Sequence, residues 1–134
     1  MFALTESTPL YLCRQAVDMR KGIDGLYRLV RTELQQHPLS SSAFVFFSKN
    51  RQSVKILRWD GDGFLLYHKW LERGTFETSR FDAASGAYRL PWKTFSLIME
   101  GISLRSVRYR KRFNIAIWIF FQPSDSQYNI IITF

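Results

Sequence analysis

The chain has 134 residues, 46% of them hydrophobic and 16% aromatic, which is too apolar for a disordered protein and long enough for one domain. Nineteen basic residues against eleven acidic ones give a formal charge of +8, so the chain attracts polyanions such as nucleic acid. The single cysteine, Cys13, excludes an internal disulfide framework and leaves too few thiols for a structural zinc site.

The amino-terminal region predicts a strand followed by a helix. Leu10–Cys13 is a short apolar run, and Asp18 follows as a residue whose side chain can cap the first amides of a helix. Gly22 and Gly25 are unfavourable in a helix interior, so they either delay the regular helix or permit a close backbone approach, and the start stays open. Apolar residues then recur at steps of three and four, on one helical face: Met19, Ile23, Leu26, Val30 and Leu34. Basic residues project elsewhere: Arg20, Lys21, Arg28 and Arg31. The helix is expected to end at His37, Pro38 and the following serines.

Three strand-like runs follow, each rich in the aromatic and branched residues that suit a sheet: Ala43–Ser48, Val54–Trp59 and Phe64–Trp70. Short polar connections separate them, and Asp60–Gly63 is the stronger turn signal because its glycines permit positive backbone angles. The spacing predicts an antiparallel meander.

The segment after the meander predicts an edge strand, a loop and a second helix. Thr75–Phe81 is the candidate edge strand, and Asp82–Gly86 is small and polar like a loop. Pro91 suits the first turn of a helix over Trp92–Glu100, and Gly101 suits its carboxyl-terminal cap. The predicted fold is therefore a single small α+β domain, an antiparallel meander packed with two helices.

The last 22 residues differ in composition from the rest. Residues 113–134 contain no Lys or Arg and one acid, Asp125, so residues 1–112 carry +9. We predict a domain over residues 1–112 with a basic carboxyl-terminal segment, followed by a divergent apolar tail. The longest apolar run, Ile115–Phe121, is far shorter than the roughly 20 residues of a membrane-spanning helix. Because no secretory signal opens the chain either, we expect a cytoplasmic protein with no membrane partner.

The sharpest local feature is a cluster of five cations around Tyr109: Arg105, Arg108, Arg110, Lys111 and Arg112. Guanidinium groups bind phosphate oxygens in pairs, and Tyr109 can stack on a base, so these six residues, the basic cluster, are candidate nucleic-acid contacts. Arg20, Lys21, Arg28 and Arg31 are candidates for the same basic surface. A solvated or partner-binding run is the alternative.

The residues that catalysis would need are scattered. Eight of the eleven acids are candidates for a metal-binding trio, but their spacing does not indicate one: Asp18, Asp24, Asp60, Asp62, Glu72, Glu77, Asp82 and Glu100. His37 and His68 are too far apart to suggest a ligand pair, and surface or cross-strand roles are expected for them. Cys13 has no evident partner base, so we expect a buried thiol. The sequence predicts no catalytic residue, metal or cofactor.

Four motifs, in order and in register, carry a family resemblance: Asp18–Leu26 (DMRKGIDGL), Trp59–Phe64 (WDGDGF), Leu71–Phe76 (LERGTF) and Met99–Ile102 (MEGI) followed by the basic cluster. Together they resemble the accessory protein TnpB (Orf2-like) of bacterial insertion sequences of the sixty-six family. The likeness covers nearly all of residues 1–112. It implies a helper in transposition beside a separate transposase that supplies the strand-cutting chemistry.

Two functions remain open under this resemblance. The first is an accessory protein that binds DNA at the element ends through its basic surface and assists the transposase. The second is an adaptor that docks on the transposase without binding DNA, with exposed aromatic side chains as anchors. The resemblance does not extend to residues 113–134, for which a frameshift or read-through is the hypothesis.

Overall fold

In the computed structural model, which describes residues 4–78 and 86–105, the chain forms an α+β domain built on one five-stranded sheet. The elements are β1 (Leu10–Cys13), α1 (Ile23–Thr32), β2 (Ala43–Phe47), β3 (Ser53–Trp59), β4 (Phe64–Trp70), β5 (Ala87–Arg89) and α2 (Trp92–Glu100). The strands lie side by side in the order β4-β3-β2-β1-β5. The predicted class, a small α+β domain with two helices, is confirmed.

The predicted meander is present, and two further strands extend it. β2, β3 and β4 pair antiparallel, with Phe47 opposite Val54 and Ser53 opposite Trp70. β1 lies parallel to β2 on the other side, and α1 connects the two strands. β5 pairs antiparallel with β1 at the far edge. The sheet is therefore mixed, with a β1-α1-β2 unit beside the meander.

Side chains alternate between the two faces of the sheet, and each face is covered by a different helix. On one face, Leu26 and Val30 of α1 pack with Phe44 and Phe46 of β2. On the other face, α2 packs against the alternate residues of the strands in a cluster that includes Phe95, Ile98, Leu12, Val45 and Ile56. The described domain thus has three layers, with the sheet buried between α1 and α2.

The predicted edge strand over Thr75–Phe81 is wrong where the structure describes it, because residues 75–78 form no strand. The Phe76 ring is buried against Phe47, with ring centres 5.3 Å apart, and its amide donates to the carbonyl of Arg51 at 2.7 Å. Phe76 therefore serves the core instead of a strand ladder. An edge position is taken by β5, in a stretch for which no strand was predicted.

The first helix, Ile23–Thr32, is shorter at both ends than the apolar pattern from Met19 to Leu34. Its amino-terminal cap is Gly22, whose carbonyl accepts the first helical bond from Leu26 at 3.0 Å, so Asp18 does not cap it. At the other end, Gln35 adopts a left-handed φ of 52°, and the Gln36 amide bonds the Val30 carbonyl at 3.0 Å. This turn ends the helix before His37 is reached. The predicted apolar face is otherwise correct, except that Ile23 is exposed.

The second helix matches its prediction. Pro91 caps its start in an extended conformation, and Phe95 and Ile98 are buried. Gly101 adopts a left-handed φ of 80°, and its amide donates to the carbonyl of Ile98 at 3.1 Å. Glycine favours this cap because a side chain would clash in the left-handed conformation.

Within residues 4–78 and 86–105, no helix is long and apolar enough to cross a membrane. The predicted domain boundary at residue 112 and the apolar tail lie outside the described residues, so both stay predictions.

Candidate nucleic-acid interface

The loop between β1 and α1, which carries the first family motif, is held to the sheet by a buried lysine. Lys55 on β3 is only 7% exposed, and its Nζ donates to the carbonyl oxygens of Met19 and Lys21, both at 2.8 Å. A buried ammonium group is tolerated only where acceptors replace its water shell, and these carbonyls do so. The contact fixes the backbone from which Arg20 and Lys21 project.

Asp18 and Arg20 form a tight exposed pair within this loop. Oδ1 of Asp18 accepts the backbone amide of Arg20 at 2.9 Å, and Oδ2 accepts Nη2 of Arg20 at 2.7 Å. The Arg20 side-chain hydrogen bonds lower the pKa of Asp18 to about 2. Asp18 therefore organises a turn ahead of the helix. Arg20, a predicted phosphate contact, is exposed but has to exchange or share its carboxylate partner when it binds.

The other predicted cations of this region, Lys21, Arg28 and Arg31, are all exposed. Arg28 and Arg31 lie three residues apart on α1, and this spacing makes them neighbours on one side of the helix. That side points away from Leu26 and Val30, which are buried. Among the described residues, none of the three forms an ion pair. The structure thus presents two helix cations together on the outer side of α1.

Most of the basic cluster lies outside the described residues: Arg108, Tyr109, Arg110, Lys111 and Arg112. Arg105 is described, is exposed, and begins a second structural unit. Phosphate binding by the basic cluster stays a prediction.

The carboxyl ends of the parallel strands β1 and β2 open onto a cavity of about 510 Å³. Residues 12–16 and 47–49 form most of its wall, with contributions from Arg51 and Thr78. Three cations line it, Arg14, Lys49 and Arg51, and no described lining residue is an acid. We call this the cationic cavity. Its charge makes it suited to an anionic group.

Both arginines of the cationic cavity are held in unusual positions. The Nε of Arg14 is buried with no hydrogen-bond partner in the described part of the chain, and its guanidinium carbon lies 5.3 Å from the centre of the Tyr88 ring. Arg51 adopts a left-handed backbone with φ of 60°, which is uncommon for a residue other than glycine. The turn is stabilised because the Arg51 carbonyl accepts the Phe76 amide. One orphaned donor and one strained residue therefore border the cavity.

A second, wider cavity of about 990 Å³ adjoins the first, and Ala16, Ser48 and Lys49 line both. We call it the aromatic cavity because Trp70 lines it. Trp70 is 71% exposed, the most exposed of the large hydrophobic side chains described. His68 lines the same cavity, is exposed, and lies opposite Lys55 in the β3–β4 ladder. Its place on the surface of a strand fits the surface or cross-strand role expected for it.

Four residues that line these cavities were not predicted from sequence as site residues: Arg14, Lys49, Arg51 and Trp70. They are dispersed in the chain, and only the parallel pairing of β1 with β2 brings the first three to one edge. The succession of strand, helix and strand was the available signal, because such units pair in parallel and ligands bind beyond their carboxyl ends.

The described residues contain no group of three His, Cys, Asp or Glu side chains able to hold a metal ion. Cys13 is buried, as predicted, and burial raises the pKa of its thiol, with a smaller contribution from Glu33. The thiol form is therefore favoured at neutral pH, whereas a nucleophile needs the thiolate.

Comparison with known proteins agrees with the four motifs. The family model described as IS66 Orf2 like protein matches residues 8–109. The uncharacterized protein y4jC of Sinorhizobium fredii is 33% identical over 99 residues, which are 74% of this chain and 83% of that protein. The uncharacterized protein y4hO of the same organism is 29% identical over 100 residues, 75% of this chain and 85% of that protein. No solved structure matches. The chain belongs to the IS66 Orf2-like family.

Proposed function

We propose that this protein is a non-catalytic accessory protein for transposition of an insertion sequence, which binds DNA at the element ends and assists a separate transposase. The observation that carries the proposal is membership of the IS66 Orf2-like family, whose model spans residues 8–109. The charge of +8 supports DNA as the ligand.

The exposed cations of the described domain support the same ligand. Arg28 and Arg31 project together from α1, and Lys21 projects from the loop that Lys55 anchors. Side chains of this kind bind phosphate oxygens without reading bases, so the expected binding is strong at low salt and modest in sequence preference.

The proposal is tested by measuring the affinity of the full chain for duplex DNA over a range of salt concentrations. The logarithm of the binding constant is expected to fall linearly with the logarithm of salt, and each lost phosphate contact should reduce the slope by about one. Two variants are compared with the unaltered chain. One is the double variant Arg28→Ala/Arg31→Ala, and the other has Ala at all four of Arg108, Arg110, Lys111 and Arg112. Arg73→Ala, which removes an exposed charge outside both sets, is the control. The proposal would be contradicted if the affinity did not depend on salt and was the same in both variants as in the unaltered chain.

A protein adaptor is the second candidate, and one observation favours it. Trp70 exposes most of its ring on β4, an edge strand, and exposed tryptophans are frequent anchors of protein interfaces. Under this function the protein binds the transposase, the positive charge meets an acidic partner surface, and duplex DNA alone is not retained.

A further inference from the structure

We propose that the cationic and aromatic cavities together form a binding site for single-stranded nucleic acid, in which Arg14, Lys49 and Arg51 hold phosphates and Trp70 stacks on an unpaired base. The inference rests on the proposed DNA-binding function and deepens it, because it assigns a strand type and a site built from residues other than those of the basic cluster.

The charge of the cationic cavity supports a phosphate-containing ligand. Arg14, Lys49 and Arg51 converge on one cavity, and the described residues of its wall contribute no compensating acid. Nε of Arg14 is a buried donor without a hydrogen-bond partner in the described structure. Leaving such a donor unpaired is unfavourable, and a phosphate oxygen is the acceptor that suits a guanidinium best.

The position of Trp70 supports a ligand with an unpaired base. Lys49 lines both cavities, so a strand whose phosphate binds Lys49 enters the cavity that Trp70 lines. Asp18 is the acid of that wall, and its carboxylate is occupied by Arg20. An indole ring that is 71% exposed beside a lysine offers what single-strand binders use, a stacking platform next to a cation.

The shape of the site favours a single strand over a duplex. Both cavities are concave and lie at the edge of the sheet, at the ends of β1 and β2 and beside the last residue of β4. In a duplex the base faces are covered by their neighbours, so Trp70 can stack only on a base that has left the helix. Unpaired bases are present wherever a strand is cut or frayed.

The test measures binding of the full chain to a labelled oligodeoxythymidylate of about eight nucleotides and, separately, to a duplex. Trp70→Ala is expected to weaken single-strand binding by roughly fivefold to a hundredfold, because loss of one stacked base has an effect of that size. Trp70→Phe keeps a stacking ring and should retain most of the affinity. Duplex affinity is expected to change by less than about twofold.

The phosphate contacts are tested by Arg51→Asn and Arg14→Gln. Asparagine tolerates the left-handed backbone at position 51, so this variant removes the charge without disturbing the turn. Each variant should weaken single-strand binding and reduce its salt dependence, and Arg73→Gln should not. Inorganic phosphate, added at constant ionic strength, should compete only weakly, because a strand makes several contacts and a free ion makes one.

Several results would overturn the inference. These are unchanged single-strand binding in Trp70→Ala and Arg51→Asn, equal losses on single strand and duplex, or competition by inorganic phosphate as strong as by the oligonucleotide. Loss of transposase binding in Trp70→Ala with normal single-strand binding would assign the tryptophan to a protein interface instead. Failure of the proposed function can be distinguished from failure of this inference, because in that case the unaltered chain shows no salt-dependent binding to duplex DNA.

Discussion

Lys55 is a charged residue buried in the sheet, and its partners are backbone carbonyls of a loop more than thirty residues earlier in the chain. Its ammonium group links β3 to the DMRKG part of the first motif, so the loop's geometry depends on a residue outside that motif. This contact was not predictable from sequence, because β3 does not alternate between apolar and polar residues, so its pattern does not say whether Lys55 points inward or to solvent.

Replacing Lys55 with Met is expected to lower the free energy of unfolding by about 1.5 to 3 kcal/mol, the usual contribution of hydrogen bonds to a charged group. The apolar stem is retained, whereas the carbonyls of Met19 and Lys21 lose their donor. Urea unfolding provides the measurement, and Lys49→Met, at an exposed position, should change stability by less than about 0.5 kcal/mol. Equal stability of the Lys55 variant and the unaltered protein would contradict this role.

Asp18 is expected to titrate near its lowered pKa of about 2, and replacement of Arg20 with Gln should return the pKa toward 3.8. Because the folded pKa is lowered, the pair's contribution to loop order is complete above pH 3.8 and is lost as the pH falls through about 2. Carboxyl-carbon chemical shifts followed by NMR against pH provide the test. A pKa of Asp18 that is the same with and without Arg20 would show that the pair does not form in solution.

At the scale of the elements, local pairing was predictable and long-range pairing was not. β2, β3 and β4 follow each other through short turns, so their aromatic and branched residues and the Asp60–Gly63 turn were enough to predict the meander. β1 pairs with β2 only after a helix has intervened, and β5 has three residues, too few for a sequence pattern. β5 therefore becomes the second edge strand of the sheet only through its pairing with β1 in the folded chain.

The β3–β4 turn offers a matched pair of glycines for testing its predicted backbone. Gly61 has φ of 85°, whereas Gly63 does not have a positive φ, and an added Cβ meets no atom within 4 Å at either position. Gly61→Ala should therefore destabilise the protein by about 1 to 2 kcal/mol through backbone strain alone. Gly63→Ala should be close to neutral in the same thermal or urea unfolding experiment. Equal effects of the two substitutions would show that the turn is not left-handed at Gly61.

At the scale of the whole described domain, the two helices cover the sheet faces and leave the carboxyl ends of β1 and β2 open. The basic cluster could be recognised because its residues are adjacent in sequence. The fold brings three other cations together from distant positions, so they could not be recognised in this way: Arg14, Lys49 and Arg51. A site composed of dispersed residues can be predicted only when the sheet order is known, and the parallel pairing of β1 with β2 was not predicted.

The central claim, an accessory protein that binds DNA and assists a transposase, is tested most directly by a pull-down with the transposase of the same element, with and without DNA carrying the element ends. The immobilised protein is expected to retain this DNA on its own and to recover more transposase when the DNA is present. Recovery of the transposase to the same extent without DNA, together with no retention of DNA alone, would contradict it and would support the adaptor function.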